Sequence, residues 1–488
     1  MPSRVNNRTL PLDGVRAFCI GVLAVALGAC AHIPPEEQTL SSPKTISDYQ
    51  TVTSFTANPI AWPEANWWTQ YGDAQLDNLI KEALSTSPDM AIALARVRQA
   101  EASTQISGAK LLPQIGAAAS FTEQQQSYNY LSPSAFTPQG WNDYGMAAVD
   151  LKWEIDFWGK NRAGLAAATS ELEAKRAEQA QARLTLSTSV ATSYSELARL
   201  FATRLTSEQA VIVRKKTAEL FAERYKNGME NLGSVRQAEA GLADAEQLLL
   251  LVEEQIGLQR NRLAALMGAG PDRGLSITAP KLNLNRDFGL PKELSLNLLG
   301  RRPDVVAARL QAQAQSSRIE QKQADFYPNV NLMGLLGFQS LGLNVLTQSG
   351  STIGSIGPAI YLPIFTGGRL TGELRSARAQ YEEAVGVYNQ TVVKALQDVA
   401  DAALSKKSLN PRLIKIETAV TAATDAYRVA RERYEGSLSS YLEVLTAEDA
   451  MLNNMRLQTD LQSRAFTLDI ALTRALGGGY KNESVIAQ

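Results

Sequence analysis

Between residues 147 and 157 apolar and polar side chains alternate with a period of two. Ala147, Val149, Leu151, Trp153, Ile155 and Phe157 fall on one side, and Ala148, Asp150, Lys152, Glu154 and Asp156 on the other. This predicts a strand with one apolar and one charged face, the arrangement a bilayer barrel needs around a wet lumen. The rhythm recurs, weaker, in Ile115, Ala117, Ala119 and Phe121, in Val330, Leu332, Gly334, Leu336 and Phe338, and in Ile356, Pro358, Ile360, Leu362 and Ile364. Strands are therefore expected near 113–126, 144–157, 328–339 and 352–365. The stretches 122–143 and 339–351 are polar and carry Gly, Ser or Pro, as loops outside a membrane do.

Elsewhere the period lengthens. No proline occurs from Gln139 to Gly270, and a helix from Gly159 to Tyr225 would extend roughly 100 Å at 1.5 Å per residue. Leu186, Val190, Ser193, Leu197 and Leu200 step in coiled-coil fashion. So do Leu370, Leu374, Ala377, Tyr381, Ala384, Tyr388, Thr391 and Ala395, and later Ile416, Val420, Ala423, Tyr427, Ala430 and Tyr434. Small residues prevail on these seams, so backbones can approach closely and a helix can have neighbours on two sides. Pro411 predicts a kink or break near Asn410. Helices over 88–111 and 230–267, placed end to end, are about as long as the long helix, which predicts a cylinder wall.

The chain is internally duplicated. Ser87-Pro88-Asp89, leading to Leu111-Leu112-Pro113, returns about 215 residues later as Arg302-Pro303-Asp304, leading to Phe326-Tyr327-Pro328. Phe157-Trp158-Gly159-Lys160-Asn161-Arg162 is echoed by Phe365-Thr366-Gly367-Gly368-Arg369, Arg224-Tyr225 by Arg433-Tyr434, and Met267-Gly268 by Leu476-Gly477. Each copy predicts a helix, two strands, a very long helix, a turn and a shorter helix. Ser87 suits an N-cap, Pro88 the first helical position, and Asp89 the helix dipole. The expected organisation is a leader over 1–29, a tether over 30–70, repeats over 71–285 and 286–479, and a tail over 480–488.

Composition narrows the chemistry. A formal net charge of −1 over 488 residues gives no basic face for nucleic acid. One histidine, His32, and two cysteines argue against His-rich metal sites, a Ser/His/Asp triad or a disulfide framework. Arg4 and Arg8 precede a mostly apolar run from Val15 to Leu27, too short to span a bilayer and suited to a signal peptide. Leu27-Gly28-Ala29-Cys30 resembles a bacterial lipobox, which implies cleavage before Cys30 and a diacylglyceryl thioether plus an N-acyl chain on it. The competing reading is an ordinary secretory cut that leaves Cys30 free. Ala31, in place of an aspartate, implies outer-membrane sorting by the same resemblance. No other cofactor is expected.

Four strands cannot close a barrel, and open sheet edges in hydrocarbon leave backbone groups unsatisfied, so chains must associate. Two chains would give eight strands and three would give twelve; counting alone does not choose. Five signatures over about residues 60–480 resemble the TolC-like outer-membrane efflux channels, in their lipid-anchored OprM/NodT branch. They are Trp153-Glu154-Ile155-Asp156-Phe157-Trp158-Gly159, Arg301-Arg302-Pro303-Asp304, Phe326-Tyr327-Pro328, Leu362-Pro363-Ile364-Phe365-Thr366-Gly367-Gly368-Arg369 and Leu476-Gly477-Gly478-Gly479-Tyr480. The resemblance implies a mainly α fold with transmembrane β structure. It implies a homotrimer with a twelve-stranded outer-membrane barrel, a periplasmic helical tunnel and a mixed equatorial belt. It also implies docking to a periplasmic adaptor and an inner-membrane RND transporter.

Such a conduit needs a lined path and a gate rather than catalytic residues. Asp150, Lys152, Glu154 and Asp156 are expected to face the lumen; read as an acid/base pair, Glu154 and Asp156 form the i, i+2 pattern of a solvated strand face. Turns at 226–234 and 435–441 are expected as periplasmic tips. By resemblance Tyr434 helps hold the tip closed and Glu443 rings the aperture, a constriction favouring cations. Ser439 stands where the family has a basic residue and Thr446 where it has a second acid. The alternatives are a channel for type I protein secretion and a coiled-coil envelope lipoprotein without a pore.

Overall fold

The computed structural model of the chain describes residues 33, 42–45, 48–51, 53–55, 57–129, 133–282, 289–292 and 294–482. The leader over 1–29, Cys30 and His32 lie outside these. In chain order the elements are β1 (Pro59–Ile60), α1 (Ala74–Thr86), α2 (Pro88–Ala109), β2 (Gln114–Gln125), β3 (Trp141–Glu154), α3 (Lys160–Lys226), α4 (Leu232–Leu266) and α5 (Asp272–Leu275). There follow β4 (Leu290–Pro291), α6 (Leu294–Arg301), α7 (Pro303–Ala324), β5 (Asn329–Leu341), β6 (Thr352–Tyr361), α8 (Arg369–Glu435) and α9 (Tyr441–Ala475). The duplication is metrical: α2 and α7 have 22 residues each, α3 and α8 67 each, α4 and α9 35 each. Among the described residues no helix is long and apolar enough to cross a membrane.

By internal contacts the chain forms two units. The first, built from 99–173 and 310–386, contains one antiparallel sheet in the order β2-β3-β5-β6. The register aligns Ile115 with Leu151, Leu151 with Gly334 and Gly334 with Ile356; two residues along, Ala117, Val149, Leu336 and Gly354 align. Side chains alternate along a strand, so these rows define one face that gathers the apolar positions of all four strands.

Two strand ends differ from the sequence expectation. β3 stops at Glu154, and Asp156 turns away to accept a hydrogen bond from the Arg162 backbone N–H at 2.9 Å. Asp156 thus caps the start of α3 across the left-handed Gly159 (φ 79°), and it lies beyond the end of the strand rather than on it. β6 stops at Tyr361, since Pro363 offers no N–H to a ladder. Gly367 and Gly368, at φ 57° and 86°, then make the turn into α8, which a β-carbon would strain. Beneath the sheet Ile319, Phe326, Leu370, Leu374 and Ala377 form a small core. Trp158 stacks on Tyr327 at 4.8 Å and donates its indole N–H to the Pro328 carbonyl at 2.8 Å.

The second unit comprises 43–98, 174–309 and 387–488. Asp73 caps α1 by accepting from the Gln75 N–H, and Leu76, Leu79, Ile80 and Ala83 bury against Val190, Tyr194 and Leu197 of α3. β1 pairs with β4 in parallel, and Leu290 of β4 buries with Leu294 and Leu298 of α6. Two of the sequence signatures meet in one corner. A β-carbon on Gly477 would sit 1.9 Å from the Arg301 carbonyl oxygen, and Arg302 forms ion pairs with Asp304 at 2.6 Å and Asp398 at 3.0 Å. Of the kink or break expected near Asn410, the break is absent: α8 runs through Pro411 as one helix. Proline removes one N–H and crowds one carbonyl, and the turns on either side keep their bonds, so the defect stays local.

Candidate functional site

The first candidate lies on the sheet of the first unit. Its apolar face is left uncovered within one chain: Ile115 is 73% exposed, Leu336 67% and Ile356 76%. Such a patch on one protomer marks contact with lipid or another chain. Asp150 and Lys152 occupy the opposite face and pair at 3.3 Å, and Glu154, at the end of β3, pairs with Lys160 at 3.4 Å. That opposite face is charged only along β3. Across it Asp150 aligns with Leu335 and Lys152 with Met333, while β2 contributes Gln114, Gly116, Ala118 and Ser120. The weaker alternation of three strands is thus a face of small, polar and apolar residues mixed.

The second candidate lies in the second unit, where two helical hairpins turn at 227–231 and 436–440. Tyr434, at the end of α8, is 3% exposed. Its ring packs 5.2 Å from that of Phe221, in a core that draws Ala218 from α3, Val235 and Ala238 from α4, and Val444 and Leu445 from α9. Its hydroxyl donates to a carboxylate oxygen of Glu230, in the turn after α3. Burial raises the Tyr434 phenol, and the Glu230 carboxylate raises it further. Burial also pushes Glu230 up, but the Tyr434 hydroxyl, the Asn231 N–H and the nearby Arg224 outweigh it, and Glu230 ends below the usual carboxylate range. Glu443 stands exposed in the first turn of α9.

Above the turns lies a third group that the sequence reading did not single out. Glu448 of α9 is 0% exposed; Thr217 of α3 donates to it at 2.6 Å, and Arg214 of α3 lies 3.0 Å away without hydrogen-bond alignment. Arg214 is shared with the exposed Asp449. Burial, the leading cause, leaves Glu448 raised above the ordinary carboxylate value. A folded state that raises an acid's pKa binds its proton more tightly than the unfolded chain does. Stability from this group is therefore full below the ordinary carboxylate range and is lost as pH rises through the folded value. Glu448→Gln is expected to melt above the native protein at neutral pH, with the gap narrowing as pH falls, since Arg214 keeps Asp449. Thermal melts across that range check it; a gap widening toward acid would refute the assignment.

The comparisons with known proteins agree. The family pattern for outer membrane efflux proteins matches residues 79–269 and 294–478. The chain belongs to the outer membrane efflux protein family. It is 31% identical over 475 residues to the multidrug resistance outer membrane protein MdtQ of Escherichia coli O157:H7, covering 94% of this chain and 97% of that one. The outer membrane protein VceC of Vibrio cholerae matches in structure with TM-score 0.83 and 50% identity, over 86% of this chain and 100% of that chain. The Campylobacter jejuni outer membrane channel CmeC shares the fold at TM-score 0.82 and 22% identity, over 93% and 96% of the two chains. As a TolC-like outer membrane efflux protein, the chain resides in the outer membrane and serves as the channel component of efflux.

Sequence reasoning on this efflux protein singled out Tyr434 and Glu443 but missed Glu230, Arg224 and Glu448. One signal was available for Glu448: it interrupts the seam Val444, Leu445, Met451, Leu452, where an acid is out of place. Arg224 stood out only as a landmark of the duplication, matched by Arg433, and Glu230 sits among other charged residues near a turn.

Proposed function

We propose that three copies of this chain close a twelve-stranded outer-membrane barrel that opens into a periplasmic helical tunnel. The assembly is a passive exit duct for small molecules, drugs among them. An inner-membrane RND transporter delivers them through a periplasmic adaptor. The observation that carries this reading is the four-stranded sheet whose apolar rows align on one face while, among the described residues, β2 and β6 each pair with one strand only. In hydrocarbon each unpaired backbone group costs several kcal/mol, so the edges demand further strands from other copies. Twelve strands enclose a bore that eight would fill with side chains. The duct carries out no chemistry: Asp150, Lys152 and Glu154 keep its wall wet, Tyr434 holds the tips, and three Glu443 carboxylates converge on the axis. The name of the MdtQ relative supports drug export.

The purified protein in detergent is expected to have the mass of a trimer and to form channels in planar bilayers. Glu443→Gln should weaken block by divalent cations severalfold. A monomer that forms no channels would overturn the duct, whereas unchanged cation block would remove only Glu443 from the gate. The Cys30 anchor, argued from the lipobox alone, is read by incorporation of labelled palmitate; Cys30→Ser should abolish it, and label retained in that variant would refute the anchor.

A further inference from the structure

The apolar face of the sheet carries a dent. Gly334 of β5 and Gly354 of β6 are diagonal neighbours, since Gly334 aligns with Ile356 and Leu336 with Gly354. They floor a groove of about 540 Å³ walled by Ile115, Leu151, Leu336 and Ile356. A glycine inside a strand weakens it, and it often marks a place where another group comes close. Neither glycine has a positive φ. A β-carbon on Gly354 would meet Leu336 Cδ1 at 3.5 Å, an ordinary contact. The backbone therefore does not demand glycine at 354, and what its missing side chain provides is the groove.

The foot of this face lies beside Ile33. Ile33 belongs to the same unit and packs against the core of Ile319, Phe326, Leu370, Leu374 and Ala377, where α7 leads into β5 and β6 leads into α8. From there two aligned pairs, Val330 with Ile360 and Leu332 with Pro358, run up the same face to Gly334 and Ile356. Cys30 precedes Ile33 by three residues, a reach of at most about 10 Å. Gly334 stands five residues above the start of β5, about 17 Å along the strand. A fatty acyl chain that fills one leaflet covers about 15 Å, half of the hydrocarbon core. The two reaches together meet the groove.

We propose that Ile33 seats Cys30 at the foot of β5 and β6, and that one acyl chain of the lipidated Cys30 lies in the Gly334–Gly354 groove of its own chain. The inference rests on the readings of Cys30 as lipidated and of this face as turned to lipid. The groove's walls are aliphatic, so it takes a methylene chain rather than a headgroup. Copies that join through the edge strands β2 and β6 leave this face free, so a second copy does not fill it. The anchor then packs as part of the barrel wall.

Cells fed a palmitate analogue that carries a photoactivatable diazirine and an alkyne test this. After irradiation of outer membranes, the full-length protein is captured through the alkyne and its peptides are read by mass spectrometry. A crosslink joining the acylated Cys30 peptide to the strands over 329–361 is expected in the monomer band of a denaturing gel. Gly354→Leu fills the groove, and Ile33→Ser empties the seat. Each should lower the crosslink yield about tenfold, as losing one buried aliphatic contact does, while heat-modifiable migration stays native. Strands joined only to phospholipid would give the groove to bulk lipid and overturn the proposal. A crosslink confined to the dimer band, which puts the acyl chain on a neighbouring copy, or a yield that either variant leaves unchanged would overturn it as well. An acylated Cys30 without any strand crosslink removes this inference alone. A Cys30 without label removes the anchor and takes the inference with it.

Discussion

Val149→Arg is expected to deplete the outer-membrane form of the protein. Val149 aligns with Ala117 on one side and Leu336 on the other, on the face that carries the exposed Ile115, Leu336 and Ile356. An arginine on the lipid side of a barrel costs about 2–4 kcal/mol near the bilayer centre. A barrel of three copies carries it three times. Stability margins of about 5–15 kcal/mol do not absorb such a sum readily. Lys152→Ala is the control: it lies on the opposite face, 66% exposed, and loses only a solvent-screened pair with Asp150. Heat-modifiable electrophoresis of outer-membrane fractions reads both variants. Native amounts of folded Val149→Arg would mean that this face does not meet lipid, and the barrel would fall.

The contrast between these variants was legible in the sequence because a strand's side-chain period is two and fixes the face of each residue without further information. Register was not legible: it took the pairing of β3 with β5, nearly two hundred residues apart, to show that the four apolar rows coincide. Strand ends were less certain for a related reason. Alternation continues through Ile155, Asp156 and Phe157, but Asp156 is worth more as a helix cap than as a ladder residue. That competition between local bonds leaves no trace in hydropathy. The long helices followed from the absence of proline and from the seams. Pro411 does not break the helix because a proline's cost falls once, while a helix of 67 residues has many other bonds to hold it.

The polar contacts that matter at the tips were the least legible. Tyr434 and Glu230 are 204 residues apart, Thr217 and Glu448 231. Which side chains meet depends on the rotational phase of two long helices brought together from separate repeats. Resemblance supplied Tyr434 and Glu443, and it raised the question left by Ser439, where a basic residue is absent. Arg224, a cation on the neighbouring hairpin, occupies that neighbourhood in this chain.

Lys406→Met is expected to be the most destabilising of the side-chain truncations in the second unit. The Lys406 ammonium on α8 contacts one oxygen of Asp469 on α9, and Tyr71 donates its hydroxyl to the other at 2.9 Å. The two charged side chains are 9% and 4% exposed. Removing one partner of a buried pair takes away the counter-charge of the other, at about 3–5 kcal/mol. Here lies the difference from Glu448, where Arg214 keeps a second carboxylate and burial raises the acid above the ordinary carboxylate value. Tyr71 gives Asp469 one hydrogen bond but no charge, so it cannot stand in for the lysine. Adding Asp469→Leu to Lys406→Met should restore much of the loss, because no buried charge then stays without its counter-charge. Thermal or chemical unfolding of the detergent-solubilised protein measures the cycle. A Lys406→Met variant within about 1 kcal/mol of native would show that water reaches the pair, and that α8 and α9 are held here by their apolar seam alone.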